Sequence, residues 1–187
     1  VSPIPFISTI SLFSNLKKPS TVIIKHANPC GVSSNKSAFQ SFLNAQASDP
    51  ISAFGGIVAC NYKINKKIAS EINKTFFEVI LAKGFDKDAL KILKKKKNMR
   101  VIDISKFNYE SKTISKFFDN SFLLQEKDDL VFQKKMLKCV TKNKPSSKEI
   151  KDIEFAFRIC KYVKSNAIVI VKDNSTIGIG AGQQNRL

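Results

Sequence analysis

The sequence predicts an α/β fold in which helices cover a mixed β-sheet. Short apolar, β-branched runs recur along the chain, as at 21–25 and 167–171, and stretches with helical spacing of apolar residues lie between them. Glycine, proline and short polar residues mark the ends of these segments. Because strands and helices alternate, we expect much of the sheet to be parallel and covered on at least one face.

The first part of the chain predicts strands and helices in strict alternation. The expected order is a strand at 21–25 ending at a turn cluster (28–31), a helix at 35–47 broken by 48–50, a strand at 57–60 after Phe54-Gly55-Gly56, a helix at 64–75, a strand at 77–82, a turn at Gly84, a helix at 86–97 and a strand at 100–104. The turn cluster, Asn-Pro-Cys-Gly, is a place where a chain leaving a strand can expose side chains for chemistry.

The second part of the chain is less regular until a well-marked helix begins. Ser146 and Glu149 have the spacing of a capping box, in which two side chains satisfy backbone donors at a helix start. One face of this helix is expected to be apolar, with Ile150, Ile153, Phe157 and Cys160. The other expected elements are a connection with short strands at 105–140, a strand at 167–171, a turn at 173–175 and a glycine-rich segment at 176–182.

Length and composition predict a protein with one substantial apolar core. The 187 residues are 43% hydrophobic and include 15 Phe. No apolar run approaches the roughly 18 residues of a membrane-spanning helix, and residues 1–18 lack the basic leader and cleavage site of a signal peptide. A cytoplasmic location is the expectation.

The cysteines and the histidine exclude the common zinc sites. The four cysteines lie far apart without CxxC spacing, and the chain has one histidine. Neither an HxE pair nor a PCxxC motif occurs, so the ligand set of a zinc deaminase cannot assemble. We expect the cysteines to be reduced and mostly buried.

The net charge of +17 raises the alternative of a nucleic-acid-binding module. The excess is almost entirely lysine, since the arginines are Arg100, Arg158 and Arg186. Proteins that read bases rely on bidentate arginine contacts, and these lysines are scattered apart from one run at 94–97. A solvated lysine-rich face is the simpler interpretation, and a positive field also suits small phosphate-bearing substrates.

Lys25 and His26 are candidate catalytic residues because they end a strand beside a turn. A lone histidine is more often structural. At the end of a strand, however, the backbone can turn enough for both side chains to approach one pocket. Glycines at 178, 180 and 182, followed by Gln183 to Arg186, do not match a dinucleotide fingerprint but suit binding of a polar anion.

Several segments together resemble one known family. IIKHANPCGV, SDPISAFGGIVA, EVILAKGFDKDALKILKKKKN, VTKNKPS and VKSNAIVIVKDNSTIGIGAGQQNR are similar, in this order, to blocks of the AICAR transformylase domain of the bifunctional AICAR formyltransferase/IMP cyclohydrolase family. The resemblance covers nearly all of 20–187 and implies two cytidine-deaminase-like lobes without metal. It implies a first lobe at 1–130, and at 131–187 a connecting segment, a helix and the first strands of a truncated second lobe.

The resemblance also implies a reaction: transfer of a formyl group from the cosubstrate 10-formyltetrahydrofolate to the amine of 5-aminoimidazole-4-carboxamide ribonucleotide (AICAR) in purine synthesis. It makes His26 the proton-transfer residue, Lys25 the cation that steadies the formyl oxygen, and Asn166 the residue that orients the substrate. The implied substrate-binding residues are Phe54, Gly55, Glu78 and Arg186, and the implied folate-binding residues are Ile51 and Leu187.

The resemblance further implies an N-terminal IMP cyclohydrolase domain, which we expect to be missing from this piece, and active sites formed across a homodimer interface. From these implications we expect AICAR and folate as partners, no membrane, and little or no activity of this piece alone. A nucleic-acid-binding module and a remnant without catalytic activity remain as alternatives.

Overall fold

A computed structural model describes residue 12 and residues 16–107, 112–128 and 132–184. The strands are β1 (Ser20–Lys25), β2 (Asn28–Ser34), β3 (Ile57–Cys60), β4 (Val79–Ala82), β5 (Arg100–Asp103), β6 (Thr113–Phe118), β7 (Ser121–Glu126), β8 (Ile168–Lys172) and β9 (Ser175–Gly180). The helices are α1 (Ala38–Ser48), α2 (Pro50–Ala53), α3 (Lys66–Ile72), α4 (Lys87–Leu93) and α5 (Ser147–Cys160), with a 3₁₀ turn at Lys134–Met136.

A seven-stranded mixed sheet organises these elements, in the order β5-β4-β3-β1-β2-β9-β8. The α/β class with a mixed sheet and helices is thereby confirmed. Only the pairs β3–β4 and β4–β5 are parallel, whereas β1–β2, β1–β3, β2–β9 and β8–β9 are antiparallel. The sheet is therefore less parallel than strand–helix alternation suggested, because two of its connections are tight hairpins.

Each central strand sends alternate side chains to two apolar cores. On one face, Ile23, Val58 and Ile80 pack against residues of α1, α3 and α4. On the other face, neighbouring strand residues pack with Phe155 and Ile159 of α5. Strands that are buried on both faces read as continuous apolar runs, which is why VIIK, IVAC and VILA lack polar alternation.

The expected turn at 28–31 is wrong, because these residues begin β2. The chain reverses instead at His26-Ala27, where φ is 49° and 66°, and Lys25 pairs with Asn28. Two consecutive residues with positive φ form the tight hairpin turn whose twist matches that of the flanking strands. The pairing shifts at Ile23/Ile24 and leaves Cys30 as an extra residue in β2, so Pro29 lies beside a β-bulge, where a strand tolerates proline.

The capping box predicted for α5 is present. The Ser146 hydroxyl accepts the Glu149 N–H at 3.3 Å, and Glu149 accepts the Ser146 N–H at 2.7 Å. The buried face differs from the expected one: Phe155 and Ile159 face the sheet, while Phe157 is 51% exposed and contacts the Phe132 ring at 5.1 Å. The helix has apolar residues on two sides. The sheet packs against the side with Phe155 and Ile159, whereas the spacing of apolar residues in the sequence predicted the side with Ile153 and Phe157.

The strands β8 and β9 lie in the stretch 131–187, where we expect the first strands of a second lobe, and this division into lobes stays a prediction. Both strands extend the same sheet, and α5 covers the core that β1 to β4 share. Local patterns identify these elements but not their partners, because the pairing of Ser33 with Ser175 joins distant parts of the chain. In the described residues, the separate sheet is the exposed hairpin β6–β7.

Thiol burial varies more than expected. Cys60 is buried, Cys30 and Cys160 are half-buried and Cys139 is exposed, all as free thiols. Burial raises the pKa of Cys60 to about 12. Across the described residues, no helix has the length and apolarity to cross a membrane.

Candidate active site

All seven strands of the large sheet have one terminus along the same edge, which runs across the strand direction. β1 ends at Lys25 beside the start of β2, and Ile24 pairs with Ile57 at the start of β3. β4 and β5 run parallel to β3, so they begin at the same edge, where Gly56 accepts the Glu78 N–H at 3.0 Å. Antiparallel pairing places the end of β9 and the start of β8 there as well. Segments distant in sequence therefore meet at this edge.

A cleft of about 560 Å³ opens at this edge, between β2 and β9. The two strands pair through Ser33 and Ser175 at the opposite edge, and they diverge toward the cleft. Its lining residues are Lys25, His26, Asn28, Pro29, Cys30, Ser48, Asp49, Pro50, Ser52, Gly178, Ile179, Ala181 and Gln183. The lining thus combines an ammonium, an imidazole, a carboxylate, amide and hydroxyl groups, and several apolar side chains.

Two backbone carbonyls fix the ammonium of Lys25. Its Nζ donates to the Phe54 oxygen at 3.0 Å and to the Gly55 oxygen at 3.1 Å. Gly55 has φ +67°, and a Cβ at this position would lie 2.8 Å from Lys25 Nζ. The backbone conformation therefore favours glycine, and a β-carbon here would displace the ammonium from its present position.

His26 reaches the cleft from the hairpin turn rather than from a strand. Its side chain is exposed, and both it and Lys25 line the same cleft. Strand alternation would send neighbouring side chains to opposite faces, but His26 lies outside the ladder with φ 49°. The left-handed turn is the local reason why two adjacent residues share one cavity.

Asn166 is linked to the cleft through Gln183. Its Nδ2 donates to the backbone carbonyl of Gln183 at 3.1 Å, and the Gln183 backbone N–H donates to the backbone carbonyl of Asn166 at the same distance. Gln183 lines the cleft, and Asn166 itself is not among the lining residues. The structure thus brings Asn166 to the rim of the cavity that contains Lys25 and His26.

Other predicted site residues surround the cleft or lie outside the described residues. Ile51 is 87% exposed, and Phe54 is 61% exposed with its ring 5.7 Å from that of Phe76. Ile51 lies between the lining residues Pro50 and Ser52, and the Phe54 carbonyl contacts the lining residue Lys25. Glu78 is half-buried just before β4. Arg186 and Leu187 lie outside the described residues.

Asp49 is a cleft residue that the sequence reasoning did not single out. It caps α2, where its Oδ1 accepts the Ser52 N–H at 2.9 Å. Hydrogen bonds from the Ser52 side chain and backbone lower the pKa of Asp49. Burial, and secondly the charge of Asp49, raise the pKa of Cys30 to about 12, which makes this thiol a poor nucleophile. The sequence does carry a signal that Asp49 caps a helix: it directly precedes Pro50 and lies three residues before Ser52.

One solved structure aligns with about half of the chain. The crystal structure of dCMP deaminase from the cyanophage S-TIM5 in apo form aligns with a TM-score of 0.43 and 17% identity, covering 54% of this chain and 98% of that chain. Within the described residues of the present chain, no group of three or more His, Cys, Asp or Glu side chains could hold a metal ion.

Comparison of the sequence with protein families gives a match that covers nearly the whole chain. The bifunctional purine biosynthesis protein PurH of Thermoanaerobacter sp. (strain X514) is 44% identical over 180 residues, which are 96% of this chain and 35% of that protein. PurH of Prochlorococcus marinus (strain MIT 9312) is 48% identical over 169 residues, 89% of this chain and 33% of that protein. The chain thus spans about a third of the length of these relatives. Residues 6–187 match the AICARFT/IMPCHase bienzyme family, and the chain belongs to that family.

Proposed function

We propose that this chain forms part of an AICAR formyltransferase of purine synthesis, which uses 10-formyltetrahydrofolate as formyl donor. The observation that carries the proposal is the shared cleft of Lys25 and His26, with the ammonium held by the Phe54 and Gly55 carbonyls. Family membership supports the choice of substrates. The cleft volume of about 560 Å³ also lies in the range of small-molecule sites, about 300–1,000 Å³.

The proposed reaction needs a base and an oxyanion partner. The amine of AICAR attacks the formyl carbon, and a carbon–nitrogen bond forms while His26 accepts the amine proton. The carbonyl electron pair moves to oxygen, and the Lys25 ammonium stabilises the resulting negative charge. Collapse of the tetrahedral adduct breaks the bond to the folate nitrogen, which takes up a proton, giving formylated AICAR and tetrahydrofolate.

Substrate contacts are assigned by the same proposal. Asn166 orients AICAR from the rim, Gly55, Phe54, Glu78 and Arg186 bind it, and Ile51 and Leu187 contact the folate. The exposure of Ile51 and Phe54 beside the cleft supports an apolar surface for the flat folate ring. We further propose a cytoplasmic homodimer in the full-length protein, with IMP cyclohydrolase activity in a separate N-terminal domain and no catalytic metal.

Replacement of His26 tests the proposal most directly. Because this chain alone is expected to have little activity, the assay uses a protein extended at both ends to the length of its relatives. His26→Ala should lower formyl transfer by about 10²–10⁴-fold, the usual contribution of general acid–base catalysis, while the Kd for AICAR stays within about threefold.

Asn44→Ala is the matched control, since Asn44 Nδ2 donates to Ser175 Oγ at 3.2 Å and neither residue lines the cleft. It should leave formyl transfer unchanged. Wild-type protein without AICAR-dependent folate turnover, or a His26→Ala variant with full turnover, would refute the proposal.

A further inference from the structure

Asn28 joins the turn that bears His26 to a segment far away in sequence. It is the first residue of β2 after the turn, pairs with Lys25, and lines the cleft. Its Oδ1 accepts the backbone N–H of Lys164 at 3.1 Å. This bond crosses the side of the cleft where the β2–β9 pairing of Ser33 with Ser175 does not extend.

Further hydrogen bonds continue from Lys164 to Asn166. The Lys164 carbonyl accepts the Gly182 N–H at 2.8 Å, and Gln183 exchanges two bonds with Asn166, each of 3.1 Å. The segments 164–166 and 182–183 therefore form one bonded unit. The Asn28 side chain connects this unit to the His26 turn, because it bonds Lys164 and neighbours the turn.

We propose that Asn28 is a positioning residue that fixes the distance between His26 and Asn166 across the cleft. The inference rests on the proposed function, since it names a residue that aligns the base with the group that orients the amine. Backbone hydrogen bonds do not fix the separation of two strands where they diverge. There, a side-chain hydrogen bond such as that of Asn28 with Lys164 can fix the separation. Misplacement of reacting groups by about 1 Å is enough to cost up to about a hundredfold in rate.

The test compares Asn28→Ala with Asn28→Asp in the extended protein. Alanine removes the acceptor, whereas aspartate retains an oxygen that can accept the Lys164 N–H. For Asn28→Ala, kcat should fall by roughly tenfold with the AICAR KM within about twofold, and hydrogen exchange measured by mass spectrometry should accelerate in the peptide containing Lys164. For Asn28→Asp, both quantities should stay close to wild type.

Asn44→Ala is the control for a general loss of stability, because it breaks an amide-to-hydroxyl bond of similar length at the opposite edge. It should lower the melting temperature as Asn28→Ala does, without lowering kcat.

If Asn28→Ala does not fold, Asn28→Asp carries the test, and a tenfold loss of kcat in that variant would overturn the inference. Unchanged kcat and unchanged exchange in a folded Asn28→Ala variant would also overturn it. Absence of turnover in the wild type would instead refute the proposed function. The hydrogen-exchange measurement would still show whether the Asn28 side chain protects the Lys164 N–H.

Discussion

At the scale of single residues, the space for the Lys25 ammonium depends on the missing side chain of Gly55. A β-carbon at Gly55 would lie 2.8 Å from Lys25 Nζ, and the backbone there has φ +67°. Any other residue would meet both a conformational cost and a collision with the charged group. The Lys25 ammonium, one of the proposed catalytic groups, can thus occupy its position because Gly55 has no β-carbon.

Gly55→Ala should therefore destabilise the protein and impair the proposed reaction. The left-handed backbone costs an alanine about 1–2 kcal/mol, and displacement of Lys25 should lower kcat by at least about tenfold. Gly84→Ala is the control, because Gly84 has φ +103° but its β-carbon would meet the flexible Lys63 side chain at 3.4 Å. Urea unfolding and formyl-transfer assays on both variants separate backbone strain from loss of the ammonium. Equal activity in the two variants would contradict the argument.

Sequence reasoning identified Lys25 and His26 as a pair and Gln183 as part of an anion-binding segment, but it missed Asp49 as a cleft residue. Adjacency at a strand end is a local property, and it is visible in the sequence. The cleft also depends on the placement of β9 beside β2, a contact between positions 33 and 175. No local pattern specifies such a pairing, so the sequence indicated a binding segment at 178–186 but not that this segment lies in the same cleft as Lys25 and His26.

At the scale of elements, α5 covers one face of the sheet and begins with a complete capping box. Both reciprocal bonds between Ser146 and Glu149 are present, and the helix buries Phe155 and Ile159 in the core of that face. Hydrogen bonds from Ser146 lower the pKa of Glu149. The ionised form is thus favoured by folding, and its contribution is lost as the pH falls through the lowered pKa.

Ser146→Ala should lower the free energy of unfolding by about 1 kcal/mol, the usual effect of losing an N-cap. Ser147→Ala is the matched control, since Ser147 is the first residue of the helix rather than its cap. Thermal or urea unfolding of the two variants at neutral pH measures the difference. A loss in Ser147→Ala as large as in Ser146→Ala would show that the cap does not stabilise α5.

Helix starts and apolar strands were predicted well because their signals are local. The spacing of Ser146 and Glu149 indicated α5, and the run 57–60 indicated β3 with the bounds that the structure has. The segment 28–31 was misread, because proline and glycine usually mark turns. There a bulge at Cys30 accommodates Pro29, and Gly31 allows α1 to approach, since a β-carbon would lie 1.9 Å from the Ala45 oxygen.

At the scale of the whole molecule, one buried and one half-buried thiol couple global stability to alkaline pH. Burial raises the pKa of Cys60 from 9.0 to about 12, and burial with the charge of Asp49 does the same for Cys30. Between about pH 9 and 12, the unfolded chain loses these protons while the folded chain retains them. The free energy of unfolding contributed by each thiol is fully present below pH 9 and decreases as the pH rises through that window.

Cys60→Ser should therefore flatten the loss of stability above pH 9, by up to about 1.4 kcal/mol per pH unit. Cys139→Ser removes an exposed thiol and should keep the wild-type slope. Chemical unfolding under reducing conditions at several pH values from 8 to about 10.5 measures both slopes. A Cys60→Ser slope equal to that of the wild type would contradict the assignment of the effect to this thiol.

The two-residue reversal between β1 and β2 restricts how this part of the gene can change in length. One codon gained or lost between Lys25 and Gly31 would alter the loop or remove the bulge, and neighbouring side chains would exchange faces. His26 would then leave the cleft even though every residue type was retained. Homologous sequences should accordingly tolerate insertions and deletions in the exposed β6–β7 region, and keep a constant count of residues here.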